Sequence, residues 1–351
     1  MKTQAAFSNR FQSFSERNSN LLRLLAVFVI VFAFFAITKQ GAFLKPETFA
    51  SMAVQLPEYS ILALGVALTL ISGGIDLSVV GIANLAGILM ALFLSTAATD
   101  AAPDAVPLYI AGAAAIGFLV GLSCGAFNGL LVSRFRIPPI LATMGTMQIF
   151  TGLAIVITEG KSVSGLVPAY EHGINSALFG WLPVPLLMFI ACAAWVSFVL
   201  NKTNYGQKLY MLGTNEKAAA FSGIHTNTVL MKTYIYSGLL AIVASLIMMG
   251  RNASAKADTG SSYTLQCVLI CVLGGVKTEG GFGKVSGIVV AVLILQTIST
   301  GLNLFREINN FYRGLIWGAV LVAVLIANCI IEQKEQAKLM KKLSMEEAAE
   351  A

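Results

Sequence analysis

The sequence predicts an all-α integral membrane protein with about ten transmembrane helices and both termini in the cytoplasm. Three observations carry this. Of the 351 residues, 57% are hydrophobic and only 11% charged, against about 25% charged in soluble domains; the mean hydropathy is +0.79. The apolar residues gather into ten separate runs, most of them near the roughly 20 residues that a bilayer span needs. With the N-terminus inside, 16 of the 23 Lys and Arg fall on the inner side and 7 outside, and excess basic residues belong on the cytoplasmic side.

The elements run in order along the chain. Residues 1–20 are a polar, basic tail, and 21–38 form the first run. The tail is long for a signal peptide and no small-residue cleavage site comes after the run, so it is read as a span. The other runs are 49–72, 77–96, 107–132, 138–158, 181–200, 233–250, 261–274, 285–304 and 314–331, within a single transmembrane domain, 21–331. The eighth, 261–274, is short. The outer loop "STAATDAAPDAVP" carries Asp100 and Asp104; the other long outer loop, 158–182, carries Glu159, Lys161, Glu171 and His172. Neither has the length of a domain. The longest polar connection, 201–232, lies inside. An even number of spans keeps the basic stretch "KEQAKLMKK" of the tail 332–351 inside as well.

"ISGGIDLSVV" places Asp76 between two apolar runs. Gly73 and Gly74 can take the left-handed conformation that closes a helix. Asp76 can then accept hydrogen bonds from the first free amides of the next helix and faces its positive dipole end. Exposed at mid-bilayer, an Asp costs about 2.5–3.5 kcal/mol on insertion scales; a cap near the inner edge returns about 1 kcal/mol. The cap of a tight inner hairpin is the reading, with an ion or proton carrier and a gating or partner contact as competitors. A second hairpin, "LICVLGGVKTEGGFGKVSGIVVAVL", repeats the layout with Gly274 and Gly275. It lies six spans later, turns on the same side, and is a possible trace of internal duplication. In the fourth run Gly117, Gly121, Gly125 and Gly129 recur every four residues. Glycines at that spacing admit another helix at close range, either inside the bundle or at a subunit contact.

Several chemistries are excluded. "GGFGKVS" fails the phosphate-loop pattern twice, because Thr278 stands where the first Gly belongs and Val285 where Ser or Thr belongs. The two histidines, His172 and His225, support no metal site and no His-dependent catalysis. The five cysteines, Cys124, Cys192, Cys267, Cys271 and Cys329, read as buried thiols. No enzyme active site is visible. Polar residues within the runs are mostly neutral: Asn84, Asn128, Gln148, Gln296 and Asn303. Of these, Asn84, Gln148, Gln296 and Asn303 are the candidates for a translocation path. A cation-coupled carrier keeps ionisable groups deep in its helices; here Glu58 and Asp76 stand near helix ends. A neutral lining suits a hydroxyl-rich solute moved by an outside energy source.

In the inner connection, Thr214 or Asn215 can cap a short helix "EKAAAF" that Gly223 ends. Such a helix suits a partner's groove. From here four stretches in order resemble one family, the membrane permease of ribose-, galactose- and xylose-type ABC importers of bacteria. They are "LALGVALTLISGGIDLSVV", "FRIPPILATMGTMQIFTGLAIVI", "YGQKLYMLGTNEKAAAFSGI" and "VLGGVKTEGGFGKVSGIVVAVLILQTISTGLNLF". The family continues "DLSVG"; here Val80 intervenes before Gly81. The resemblance implies a multi-pass protein of the bacterial inner membrane that passes a monosaccharide or sugar-like solute inward. It implies that Gly213, Asn215, Glu216, Ala219 and Gly223 sit at the contact with a cytoplasmic ABC ATPase. The other implied partners are a second permease, copy or paralogue, a periplasmic sugar-binding protein and the lipid bilayer, with no nucleic acid. This chain then needs no cofactor, since the ATPase binds ATP and Mg. The alternative is a self-contained ion-coupled secondary carrier.

Overall fold

The computed structural model describes residues 19–97, 102–178, 180, 182–305 and scattered positions between 312 and 330. Contacts divide the chain into two units, Met1–Arg306 and Glu307–Ala351. Residues 1–18, Asp100, Cys329, much of the expected run 314–331 and the tail 332–351 lie outside the described residues.

The first unit is built of helices. They are α1 (Ser19–Thr38), the single turn α2 (Gln40–Phe43), α3 (Pro46–Ile71), α4 (Val79–Ala97), α5 (Val106–Ser133) and α6 (Pro139–Thr158). Then come α7 (Pro168–Asn175), α8 (Val184–Lys202), α9 (Asn204–Thr214), α10 (Glu216–Phe221), α11 (Thr226–Asn252), α12 (Tyr263–Leu273) and α13 (Val285–Asn303). Among the described residues, eight helices are long and apolar enough to cross a membrane: α1, α3, α4, α5 (with the turn before it), α6, α8, α11 and α13. They correspond to the expected runs one to seven and nine.

Two positions differ from expectation. The seventh run, expected at 233–250, starts at Thr226. Its polar first turns bury Thr226, Val229 and Leu230 against the bundle, so packing extends the helix where hydropathy alone gives no signal. The eighth run forms only the 11-residue α12, about 16 Å long at 1.5 Å per residue, half of a hydrocarbon core. The chain before it turns back on the bundle, where Ser254–Ala255 pairs with Val163–Ser164 of the 158–182 loop. Cys267 and Cys271 of α12 are buried and free, and their thiols lie 3.4 Å and 3.2 Å from the carbonyls of Tyr59 and Ala63 on α3.

Helices α3, α4 and α11 form the centre. In α3, 89% of the spanning window is buried, against 11% in α1 and 17% in α5. The α5 face that is buried is its glycine row. A Cβ on Gly117 would strike Met90 and Ile242, on Gly121 Ile242 and the Gly238 carbonyl, on Gly125 the Tyr234 carbonyl and on Gly129 Met231. All four face α11 within the same chain, and Gly238 answers from α11, where a Cβ would strike the Gly121 carbonyl.

Replacing Gly125 with Leu forces these backbones apart. The expected loss is about 1–3 kcal/mol, read as a lowered thermal unfolding midpoint in detergent. The same change in size at the exposed Ala115 of α5 leaves the midpoint unchanged.

Candidate functional site: the glycine junction and the polar connection

In the connection Ser72–Ser78, Ser72, Gly74, Asp76 and Ser78 are buried and Gly73 is exposed. Helix α3 closes with Ser72 and with Gly73 at φ 83. Asp76 is fully buried. Its Oδ1 accepts from the Ser78 amide (3.0 Å) and hydroxyl (2.7 Å), and its Oδ2 accepts from Ser237 Oγ of α11 (2.8 Å). The Asp76 amide donates to Thr69 Oγ1 of α3 (3.1 Å). Asn128 of α5 donates to Ser78 Oγ (2.7 Å). The carboxylate thus caps the turn before α4 and also ties that turn to α11, a partner the sequence does not announce. Burial pushes the carboxyl above the usual range, and the bonds from Ser78 and Ser237 pull it back. Nearby, the buried Tyr234 hydroxyl and Asn128 Oδ1 have no protein partner.

The second hairpin packs on the first. Gly275, Gly280 and Gly281 all have positive φ, as glycine permits. The Gly281 amide donates to the Ile71 carbonyl at the end of α3 (2.9 Å). A Cβ on Gly280 would lie 2.7 Å from Gly73 Cα, and one on Gly274 2.9 Å from Ile288 Cα at the start of α13. Gly213, at the end of α9, lies between the two hairpins. A Cβ there would overlap the Ile71 carbonyl and the Gly281 amide. Tyr210 of α9 donates to the Gly283 carbonyl (2.7 Å), and burial raises its phenol above the usual range. Three backbones therefore meet where no side chain fits.

The polar connection 201–232 leads outward from this junction. Sequence reasoning sees the short helix but not α9, whose Thr203 hydroxyl accepts from the Gly206 amide (3.3 Å) as its cap. Asn215 caps α10, its Oδ1 accepting from the Ala218 amide (3.0 Å). Ala219 is buried, Gly223 (φ 80) closes the turn, and Phe221 stands 94% exposed at the tip. Glu216 pairs with Arg136 of the α5–α6 turn, and Arg136 Nη2 also donates to Asn227 Oδ1 (3.0 Å). Arg136 was not a sequence candidate; a basic residue in "SRFRIPP" facing an acidic helix start is the signal that could have found it.

The path candidates separate into two groups. Asn84 and Gln296 are buried. Asn84 donates to the carbonyls of Ala257 (2.8 Å) and Thr259 (2.9 Å). Gln296 accepts from Tyr59 and donates to Thr300 (3.0 Å). Gln148 and Asn303 are exposed. Gln148 shares an open α6 face with Gly145 and Gly152, beside whose missing side chains nothing lies within 4 Å. Glu58 is buried near the opposite end, 2.8 Å from Arg251 and accepting from Tyr263 (2.8 Å). Among the described residues no cluster of metal-ligating side chains occurs.

A bundle of long apolar helices with a protruding capped helix defines the class, a multi-pass membrane permease. The chain belongs to the family described as "Branched-chain amino acid transport system / permease component", which it matches over residues 48–325. It is 33% identical to the ribose import permease of Bacillus subtilis over 287 residues, 81% of this chain and 86% of that one. It is 31% identical to the L-arabinose transport system permease of Escherichia coli over 303 residues, 86% and 88% of the two chains. With the autoinducer 2 import permease of Photorhabdus laumondii it shares 28% identity over 339 residues, 93% and 96%.

Asp76→Asn keeps an oxygen for Ser78 but puts an NH2 against Ser237 Oγ, which must turn from donor to acceptor. The second amide hydrogen is then buried without a partner, a cost of about 1–3 kcal/mol. The expected result is a lower unfolding midpoint in detergent, with Asp76→Glu intermediate.

Proposed function

We propose that this chain is the permease subunit of an ABC importer that carries a monosaccharide or sugar-like solute into the cytoplasm. It crosses the bacterial inner membrane about ten times, with both termini and the glycine junction on the cytoplasmic side. The Lys and Arg distribution supports that orientation. The family description names amino acid transport; relatives named for ribose, arabinose and autoinducer 2 import, at 28–33% identity over most of the chain, favour a sugar-like cargo. A separate ATPase binds ATP and Mg, a periplasmic binding protein delivers the solute, and a second permease, copy or paralogue, completes the path.

The observation that carries the reading is the junction itself. Helix α10 offers Phe221 to a partner, and α9 behind it is wedged through Gly213 between both hairpins. A push on α10 reaches the ends of α3, α4, α12 and α13 through backbone contacts that cannot yield. Closure of an ATP-loaded ATPase dimer supplies such a push, and alternating access results from rocking of the spans. The open α6 face with Gln148 suits the side of a wet path shared with the second permease.

The test is co-purification in mild detergent with the ATPase, then uptake into proteoliposomes with ATP inside. Uptake needs nucleotide; uphill uptake driven by protons or sodium alone overturns the reading in favour of the ion-coupled carrier. Gly213→Ala pushes α9 off the hairpins. ATP-driven uptake falls about 10-fold, the scale of a coupling free energy of 1–2 kcal/mol.

A further inference from the structure

The geometry points to Arg136 as the positioning residue that transmits movement of α10 to α6, an inference that rests on the function proposed above. Chain connectivity carries a displacement of α10 into α9 and α11, its neighbours in sequence. It does not carry it to α6, the span with the open Gln148 face. Among the described residues, polar contacts from α10 to the α5–α6 turn run through Arg136, which forks between Glu216 of α10 and Asn227 in the first turn of α11.

Three features support a mechanical role over a stabilising one. The pair is exposed, with side-chain accessibility of 54% for Arg136 and 45% for Glu216, and exposed pairs contribute at most about 1 kcal/mol. Its fork is nonetheless directional, since a guanidinium fixes the orientation of two acceptors as an ammonium does not. Arg136 also holds φ 57, a conformation uncommon for residues other than glycine, so the local backbone is arranged to aim this side chain.

The two prolines beyond Ile137 turn the contact into a lever. Pro138 and Pro139 have fixed φ and no amide hydrogen, so the turn joins α6 as a stiff arm. Thr143 in the first turns of α6 donates to the Ile75 carbonyl (3.1 Å) of the hairpin, and Pro139 packs where a Cβ on Gly74 would sit, at 3.1 Å. These contacts form a pivot. Arg136 lies on one side of it and Gln148 on the other, so displacement of Glu216 swings the open face.

The experiment uses the full chain assembled with its ATPase. Gln148→Cys is introduced, and thiol labelling is followed by mass spectrometry at the peptide carrying position 148. The rate is compared with and without AMP-PNP and Mg2+. Arg136→Gly deletes the fork while accepting the left-handed backbone; Arg136→Lys keeps the charge without the fork. The expected result is a nucleotide-dependent change in labelling with Arg136 present. It shrinks about 5-fold or more in the Gly and Lys variants, with the ATPase still bound and the unfolding midpoint unmoved. A full response in both single variants overturns the role of Arg136 alone. Failure of the chain with Arg136 intact to bind the ATPase overturns the functional reading instead.

Discussion

The Asp76 carboxylate accepts from Ser78 and from Ser237, and through those bonds the start of α4 and the middle of α11 are held to one connection. Asn128 extends the hold to α5 by way of Ser78, and Thr69 extends it to α3. An ionised carboxylate is an acceptor only, with room for several donors. It can therefore gather hydroxyls and amides from different helices, which a neutral side chain of similar size cannot do. Burying the charge costs several kcal/mol before compensation. Three donors on its two oxygens offset that cost only while all the helices stay in register. The site thus rewards one arrangement of four helices and penalises the rest.

Close backbone approach is the second constraint, and it stems from the medium. Lipid is as apolar as leucine, so helices in a bilayer gain little from merely apolar contact and much from tight packing. The α5–α11 pair meets this with a helical glycine row that lets the Gly121 and Gly238 backbones touch. The junction of the two hairpins meets it differently, with left-handed glycines at Gly73, Gly280 and Gly281. Those positions need both the absent Cβ and the positive φ. A glycine row can slide by a turn and remain a row. A knot of turns closed by the Gly281–Ile71 bond has one geometry.

Local pattern made most of the helices legible. Hydropathy located seven spans and α13 because membrane insertion depends on composition over about 20 residues. The α10 helix was legible because a cap, a helical hexapeptide and a closing glycine are local signals. The start of α11 was not, since Thr226, Val229 and Leu230 belong to the helix only through contacts with other elements. Likewise Gly73 reads as a helix-end glycine, Gly213 enters only through the family resemblance, and Gly280 only within the failed phosphate-loop stretch. That they touch one another depends on bringing together residues from 67 (Gly213 and Gly280) to 207 (Gly73 and Gly280) positions apart, which no spacing rule encodes. The Asn84 and Gln296 side chains show a need whose partners the sequence does not name. Polarity inside an apolar run marks a hydrogen-bonding need, and here the backbone of the 253–262 loop, Tyr59 and Thr300 meet it within the chain.

The two attachments of the α9–α10 segment differ in stiffness. At Gly213 the contact is backbone on backbone, with no side-chain freedom to absorb displacement. Packed interiors of this kind have low compressibility and transmit strain. The α9 helix and both hairpins therefore behave as one body. At Arg136 the contact is a solvated fork at the end of a long side chain, which can break and re-form at small cost. A rigid attachment moves the helices it touches together; in the role proposed for Arg136, the fork instead turns α6 about its contacts with Gly74 and Ile75, so that α6 moves relative to the rest. A machine driven from α10 needs both kinds of contact, and two rigid ones would only translate the whole bundle.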